Sequence, residues 1–325
     1  MRVLMITCEW PSTTSSNSGI FVARQVESLR QAGVDIDVFH FRGAKSPRNY
    51  IRAWRGAQDR LSQGGYDVVH AQWGQSALLA FPKRLPLVVT FRGGDLNGIF
   101  DKNGRITAAG RVLRVLSRWV ADRADQIIVV SKELASRIPR RPCHVIPSGL
   151  DLDLFHPMPL EEARSRLGLP IGKPLVLFAA DPCNRPIKRY ALAEAAMARL
   201  SPRLEAELVV ANGVPHVLMP CYMNACDVLL VTSIREGSPN VVKEALACNL
   251  PVVSVDVGDV KQRIGPVKGC VLCGDDSPET IASGLERILH TRGRVDGRRA
   301  VLELDERALA ERTIAVYRDA IASPV

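Results

Sequence analysis

The sequence predicts an α/β protein built from two doubly wound, Rossmann-like domains. Its 325 residues suit two domains of about 150 residues each. Val, Leu and Ala carry the apolar content and aromatic residues make up 5% of the chain, as is typical of parallel sheets covered by helices. Short β-branched runs alternate with helical patterns, and the alternation starts again after a proline-containing stretch at residues 144–159.

Each half of the chain contributes its own series of strands and helices. In the first half, the runs predicted as strands are RVLMIT, VDIDVFHF, DVVHA, LPLVVTF and QIIVV, and the first helix is predicted over residues 20–32. In the second half, the predicted strands are PLVLFAA, AELVVA, DVLLVTS, PVVSVD and GCVLC, with helices over about residues 190–200, 241–248 and 305–321. Ser277 and Pro278 predict the capped start of a further helix around Leu285.

These elements predict the domain organisation. We expect a first domain over residues 1–155, a second over residues 156–305, and a C-terminal helix over residues 306–325 that can cross back to the first domain. Two such domains joined by a hinge imply a cleft between facing strand ends, where open α/β sheets bind ligands.

The positive charge is concentrated in the first half. Up to Pro157 there are 22 Lys and Arg against 13 Asp and Glu, and beyond it 21 against 21. The first half is therefore expected to meet an anionic partner. No apolar run approaches the roughly 18 residues of a membrane span, and no cleavable signal is present, so we expect a cytoplasmic protein, at most peripheral at the inner face of a membrane. The eight cysteines are interpreted as buried thiols rather than metal ligands.

The strongest functional signal is the segment SIREGSPNVVKEALACNLPVV. Glu236 follows the strand DVLLVTS and is predicted to lie in a loop at that strand's C-terminal end. Ser238 is expected to cap the next helix and Pro239 to open it, leaving the amides of Asn240–Val242 free to bind a phosphate. Glu244, about one turn further, is placed to accept hydrogen bonds from sugar or ribose hydroxyls. The alternative is a capped helix with two surface glutamates.

This segment resembles the E-x7-E block of the retaining family 4 glycosyltransferases of the GT-B fold, with Glu236 and Glu244 as its two glutamates. The resemblance implies that Glu236 contacts the donor sugar and that Glu244 holds the nucleotide ribose. The other donor-binding residues that we expect in this segment are Gly237, Ser238, Pro239, Asn240 and Val241.

Other blocks agree with the resemblance in order and spacing. Gly19, between the first strand and its helix, resembles the family's glycine loop, where a diphosphate approaches the backbone closely. Lys188 opens a helix after the second domain's first strand and matches the lysine that the family supplies to the donor diphosphate. The family's arginine is absent from its usual place, where Cys183 stands, and Arg185 is the expected substitute. No D-x-D pattern occurs, so we expect a metal-independent site without a cofactor.

The sequence departs from the family pattern at Arg92, within TFRGGD. Family members commonly carry a histidine here that faces the transferred sugar. An arginine cannot act as a base at neutral pH, but it can bind a phosphate or a sugar hydroxyl. We therefore place Arg92 with Glu236 among the catalytic candidates and leave its role open; the alternative is a structural pair with Asp95. Asp95 and the strand-end His70 are the acceptor-side candidates, with a structural histidine as the alternative for His70.

The region from Arg105 to Arg123 contains five arginines, which flank an apolar helical stripe. Such a helix can lie on anionic lipid, or it can pack on its own sheet with solvated arginines. The basic first half suits a glycan or lipid-linked acceptor, and the absence of an aromatic stacking motif argues against nucleic acid.

The resemblance implies retaining transfer from a nucleotide-sugar donor to a glycan or lipid-linked acceptor, in cell-surface polysaccharide or glycolipid synthesis. Two alternatives remain: a non-catalytic GT-B scaffold that binds a nucleotide or glycan, and a sugar-nucleotide epimerase of the same fold.

Overall fold

The computed structural model describes residues 1–11, 18–43, 46–100, 105–181 and 186–322. The strands of the described residues are β1 (Arg2–Thr7), β2 (Asp35–His40), β3 (Val68–Gln72), β4 (Leu87–Phe91), β5 (Gln126–Val129), β6 (His144–Val145), β7 (Leu175–Phe178), β8 (Glu207–Val210), β9 (Val228–Val231), β10 (Val252–Ser254) and β11 (Val271–Leu272). The helices are α1 (Ile20–Gln31), α2 (Pro47–Ser62), α3 (Gly74–Ala77), α4 (Gly94–Asn97), α5 (Ala108–Arg123), α6 (Lys132–Ala135), α7 (Leu160–Leu167), α8 (Tyr190–Leu200), α9 (Met219–Ala225), α10 (Asn240–Ala247), α11 (Val260–Ile264), α12 (Pro278–Thr291) and α13 (Glu306–Ala322). Short 3-10 turns lie at Leu78–Ala80, Pro186–Lys188, His216–Leu218 and Arg298–Leu304.

The chain divides into two compact units, Met1–Gly149 with the last helix, and Leu150–Asp305. The sequence predicted a boundary after residue 155, whereas the structure places it after Gly149. The difference arises because Leu150 already belongs to the second unit: its amide donates to the Leu304 carbonyl at 2.8 Å. Phe155 is wholly buried in the core of that unit.

The first unit is a parallel six-stranded sheet in the order β2-β1-β3-β4-β5-β6. β3 and β4 are buried along their whole length, which explains their continuous Val-rich runs. On one face, α1 and α13 pack together over the sheet, and Leu309, Ile314 and Tyr317 of α13 share a core with Val3 and Met5 of β1. The last helix therefore completes the core of the first unit.

The second unit is a parallel five-stranded sheet in the order β11-β10-β9-β7-β8. The start of its helix α12 is set by local chemistry. The Ser277 hydroxyl accepts from the Thr280 amide and caps α12, which opens with Pro278 as predicted.

Both sheets reverse their strand order at an equivalent place, between β1 and β3 in the first unit and between β7 and β9 in the second. Ligands of open α/β sheets bind beyond the carboxyl ends of the strands at such a switch point. The predicted fold class is confirmed: an α/β chain with two Rossmann-like, doubly wound units.

Candidate functional site

The switch point of the second unit brings the loops after β7 and β9 together. The Thr232 hydroxyl donates to the Lys188 carbonyl at 2.7 Å. The Ile234 amide donates to the Ile187 carbonyl at 2.9 Å. These two bonds fix the turn that carries Lys188 against the loop that carries Glu236.

Lys188 and Glu236 form an ion pair at the end of these loops. The Lys188 Nζ lies 2.5 Å from the Glu236 Oε1, and the two side chains are 18% and 16% exposed. Gly258, at φ +55°, packs against the loop that carries Glu236, because a Cβ at this position would come within 3.0 Å of the Gly237 carbonyl oxygen and 3.2 Å of the Glu236 Cβ. The structure thus places a cation and a carboxylate side by side, partly accessible to a ligand.

Glu244 lies one turn into α10 and is 8% exposed. Its Oε1 lies 3.1 Å from the His216 Nε2. The His216 ring packs edge-on against Phe155, with 5.2 Å between the ring centroids. The sequence interpretation missed His216, because a lone histidine in a short turn carries no pattern that links it to a glutamate 28 positions away.

The start of α10 differs from the sequence prediction. Pro239 is the residue that precedes the helix, and no side chain among the described residues caps it. The Ser238 hydroxyl instead donates to the Asp259 carboxylate at 2.8 Å, so Ser238 is not the cap. The Val242 amide is bonded to the Pro239 carbonyl at 3.2 Å, which contradicts the prediction that it is free. The Asn240 Oδ1 is buried without a hydrogen-bond partner in the described part of the chain.

A small depression, with a cavity volume of about 10 Å³, opens at this edge of the sheet. Its lining includes Lys188, Thr232, Ser233 and Val241. Gly237 is buried in the loop after β9. Arg185 and Cys183 lie outside the described residues. The donor-site candidates that the structure describes in this unit are therefore grouped around one sheet edge.

In the first unit, Arg92 follows β4 and is half-buried. Its guanidinium donates to the Gln72 Oε1 at 2.9 Å, to the Ser148 hydroxyl at 2.8 Å and to the Gln25 Oε1 at 2.9 Å. It also lies over the Phe21 ring, 4.7 Å from the centroid. These side-chain partners are all uncharged, so among the described residues Arg92 is linked to Asp95 through its backbone amide and not through a side-chain ion pair.

Asp95 is buried as a local anchor for the backbone. Its carboxylate accepts from the amides of Gly74, Gly93 and Leu96 at 3.0–3.2 Å and from the Arg92 amide at 3.4 Å. Burial raises the pKa of Asp95, and these backbone hydrogen bonds oppose the rise. With 1% exposure, Asp95 does not face an acceptor in this structure.

His70 is also placed in the core rather than at an open surface. It is 0% exposed, its Nδ1 lies 2.7 Å from the Tyr317 hydroxyl, and its Nε2 lies 2.7 Å from the Thr90 hydroxyl. Burial, with a smaller effect from the Arg92 charge, lowers the pKa of His70 to about 3. The acceptor-side prediction for His70 is corrected, because both ring nitrogens already bind α13 and β4.

Gly19 precedes α1 at φ +68°. A Cβ there would come within 2.6 Å of the Glu9 carbonyl and 2.7 Å of the Trp10 amide nitrogen. The glycine is thus required by a close approach of the chain to itself, whatever else the loop binds.

Among the described residues, no group of three or more His, Cys, Asp and Glu side chains is arranged to hold a metal ion. The search of the same residues finds no helix with the length and hydropathy of a membrane span. The cysteines at positions 270 and 273 are free thiols, and burial raises the pKa of each to about 11.

Comparison with known proteins agrees with this architecture. The model of the glycosyl transferase 4-like domain matches residues 3–149, and the model of the glycosyl transferases group 1 matches residues 176–291. The chain belongs to the group 1 glycosyltransferases of the GT-B fold.

Individual relatives are distant but cover the chain. It is 24% identical to the putative teichuronic acid biosynthesis glycosyltransferase TuaC of Bacillus subtilis (strain 168), over 89% of this chain and 90% of the relative. Sucrose-phosphate synthase from Thermosynechococcus elongatus superposes with a TM-score of 0.83 at 18% identity, over 100% of both chains. HepE from Anabaena, in a complex with UDP and glucose, superposes with a TM-score of 0.70 at 18% identity, over 97% of this chain and 98% of that one.

Proposed function

We propose that the protein transfers a sugar, with retention of anomeric configuration, from a nucleotide-sugar donor held by the second unit to a glycan or lipid-linked acceptor. The observation that carries this proposal is the Lys188–Glu236 pair at the switch point of the second sheet, beside Glu244 and the start of α10. The UDP complex of the fold relative HepE supports a uridine nucleotide as the first donor to test.

Each group has a distinct task in this proposal. Breaking the bond between the anomeric carbon and the phosphate oxygen places negative charge on the leaving diphosphate. The Lys188 ammonium and the N-terminal end of α10 stabilise that charge. Glu236 accepts hydrogen bonds from the donor sugar, and Glu244 accepts them from the ribose.

The reaction balances without a redox partner or a metal-bound oxygen. The acceptor oxygen forms the new bond on the face of the sugar that the diphosphate leaves. The acceptor proton passes to the departing phosphate oxygen. This route needs no protein base, which is consistent with an arginine at position 92. In this proposal the product belongs to cell-surface polysaccharide or glycolipid synthesis. The name of the relative TuaC, a putative glycosyltransferase of teichuronic acid biosynthesis, supports this assignment.

Slow hydrolysis of the donor tests the transfer chemistry without knowledge of the acceptor. We expect the full chain to release sugar from one nucleotide-sugar, with the released anomer, observed at once by ¹H NMR, matching the donor. Glu236→Gln and Lys188→Gln should each lower the rate by about tenfold or more, since each removes a charge-assisted hydrogen bond. Glu205→Gln is the matched control, because Glu205 is 86% exposed in the same unit.

The outcomes separate the proposal from its rivals. An inverted anomer would contradict retention. Conversion of the intact nucleotide-sugar to its epimer would favour the epimerase. Nucleotide binding without any turnover, in the wild type and with every donor, would favour the scaffold.

We also propose that the first unit rests on an anionic membrane surface through an apolar patch formed by α2 and α5. The patch residues are Ile51, Trp54, Val112, Val115, Leu116 and Trp119, which are 36–65% exposed. Phe81 joins the two helices, because its ring lies 4.9 Å from that of Trp119 and its carbonyl accepts from the Trp54 indole at 2.6 Å.

Arginines surround this patch and supply the charge complementarity. Arg52, Arg55, Arg111 and Arg118 are exposed on the same two helices. Arg123 stacks on the Trp119 ring, 4.1 Å from its centroid. An apolar face with cationic flanks suits the interface of an anionic bilayer, where each basic residue contributes about 1 kcal/mol.

Vesicle co-sedimentation tests this surface. We expect the chain to bind vesicles that contain phosphatidylglycerol, to bind phosphatidylcholine vesicles weakly, and to dissociate as salt rises. The double variant Val115→Glu, Trp119→Glu should lose binding, whereas Ile171→Glu, at a residue 62% exposed in the second unit, should retain it. Equal binding by both variants would exclude the patch.

A further inference from the structure

The Arg92 guanidinium forms no ion pair with a carboxylate among the described residues, although the charges of Asp95 and Glu9 act on it from further away. Its three side-chain hydrogen bonds go to two amides and one hydroxyl, all uncharged. A guanidinium has five N–H donors, so two remain for a ligand. Arg24 is a useful contrast, since it lies in the adjacent α1 and pairs with Glu306 at 2.5 Å. Proteins seldom leave a desolvated charge without a counterion unless a ligand supplies it.

The partners of Arg92 are themselves held in place. The Gln25 Oε1 accepts from both Arg92 and the Gln72 amide, which lies 3.0 Å away. Gln72 is wholly buried, so its side chain cannot turn away. The guanidinium is therefore a rigid donor set rather than a flexible surface cation.

The residue beneath it adopts a strained backbone. Trp73 lies at φ 68° and ψ 148°, a conformation that is close to the glycine-only region. Its ring contacts the guanidinium face, 5.8 Å from the ring centroid, and meets the Phe21 ring edge-on at 5.9 Å. Strain of this kind persists where the surrounding structure imposes it, and it is concentrated at ligand sites.

Burial also acts on the pKa of the Arg92 guanidinium. The pKa of Arg92 falls to about 10 because of desolvation, although Asp95 and Glu9 oppose the fall. The group remains fully charged at pH 7.

We propose that Arg92 is the oxyanion-binding residue of the acceptor site, so that the acceptor presents a phosphate or carboxylate group at the switch point between β1 and β3. This inference rests on the proposed function, which supplies an acceptor for the first unit. The two free N–H groups of Arg92 bind two oxygens of the anion, the geometry in which arginine recognises both phosphate and carboxylate. The family resemblance does not supply this role, because the family's histidine at this position is replaced here.

Anion titration of the full chain tests the site. We would follow the unfolding of the first unit, which contains all four tryptophans, by tryptophan fluorescence. The protein is titrated with inorganic phosphate and, separately, with acetate, and sodium chloride holds the ionic strength constant. At least one of the two anions should stabilise the wild type in a saturable manner. Arg92→Gln should weaken the apparent affinity by about tenfold or more, and Arg92→Lys by less, because lysine keeps the charge but not the paired donors. The anion that binds more tightly identifies the acceptor group.

Two control variants distinguish Arg92 from other cations. Arg166→Gln removes a cation that is 56% exposed in the second unit, and Arg118→Gln alters a basic pocket that Arg137 and Arg140 also line. Both should keep the wild-type anion response. Loss of that response in either control, with Arg92→Gln unaffected, would overturn the proposal, as would no saturable response to either anion in the wild type.

Repeating the anion titration with saturating UDP distinguishes an acceptor site from a donor site. Saturating UDP should leave the anion response of Arg92 in place if the site belongs to the acceptor. Its abolition by UDP would overturn the acceptor assignment while leaving the proposed donor chemistry intact. Conversely, failure of every nucleotide to bind would defeat the proposed function without affecting an anion response at Arg92.

Discussion

The buried histidine of the first unit predicts a specific loss of stability in mild acid. In the folded chain His70 is neutral, with its pKa lowered from 6.5 to about 3, chiefly by burial. The unfolded chain binds a proton on this residue as the pH falls through 6.5, whereas the folded chain does not. The proton therefore stabilises the unfolded state, and the stability that a neutral His70 contributes above pH 6.5 is lost progressively below it.

The size of the loss between pH 7 and pH 5 follows from the unfolded pKa alone, because the folded value lies below this range. A pKa of 6.5 gives a decrease of about 2 kcal/mol in the free energy of unfolding, a large part of a domain's stability. His70→Gln removes the titrating group and keeps an amide that can bond the Tyr317 and Thr90 hydroxyls. Its unfolding free energy should therefore fall by about 2 kcal/mol less than that of the wild type over the same range.

Urea unfolding followed by tryptophan fluorescence measures this difference selectively. The four tryptophans of the chain, at positions 10, 54, 73 and 119, all lie in the first unit. The same loss of stability in wild type and His70→Gln would refute the reasoning. So would a histidine NMR signal assigned to His70 that titrates between pH 5 and 7 in the folded protein.

Two further substitutions test the supports of the second unit. Gly258→Ala should lower the free energy of unfolding by about 1–3 kcal/mol in urea unfolding, because φ +55° is strained for alanine and its Cβ would press on Glu236. The same variant should weaken donor binding in a nucleotide-sugar titration, and an unchanged affinity would argue against a link between Gly258 and Glu236. Arg164 is 2% exposed and pairs with Asp227 at 2.8 Å, so Arg164→Ala leaves a largely buried carboxylate without its counterion, bonded among the described residues only to the Leu175 amide. This variant should lose about 3–5 kcal/mol in urea unfolding, and a loss below 1 kcal/mol would contradict this account.

The features that could be predicted from the sequence are those set by neighbouring residues, and the features that could not are those set by contacts between residues far apart in the chain. The strands other than β6, together with α8, arise from local apolar periodicity, and α12 from a local cap, so their positions could be predicted. β6 was missed, because His144 and Val145 were assigned to the proline-containing stretch and their pairing with β5 is not visible in the local pattern. Ser238 was expected to cap α10 because of its neighbours in sequence, but it bonds Asp259, 21 positions away. A one-dimensional pattern does not contain that contact.

The candidate sites show the same limit. The order of strands and motifs predicted that Lys188 and Glu236 follow strands of one sheet, but not that they form an ion pair. The partners of Arg92 come from 20, 56 and 67 positions away in the chain, so the sequence could not show that they are all uncharged. His70 was ambiguous because a strand-end histidine can be buried or exposed, and its burial depends on Tyr317 in a helix 247 positions later.

The central claim is that the second unit holds a nucleotide diphosphate with Glu244 on its ribose. The most direct test is isothermal titration of the full chain with UDP, GDP and ADP, in wild type, Glu244→Ala and the exposed control Glu205→Ala. The account predicts saturable binding of one nucleotide, an affinity about 10- to 100-fold lower in Glu244→Ala, and an unchanged affinity in the control. Wild-type affinity in a folded Glu244→Ala protein would contradict the ribose assignment, and no binding of any nucleotide would contradict the donor site itself.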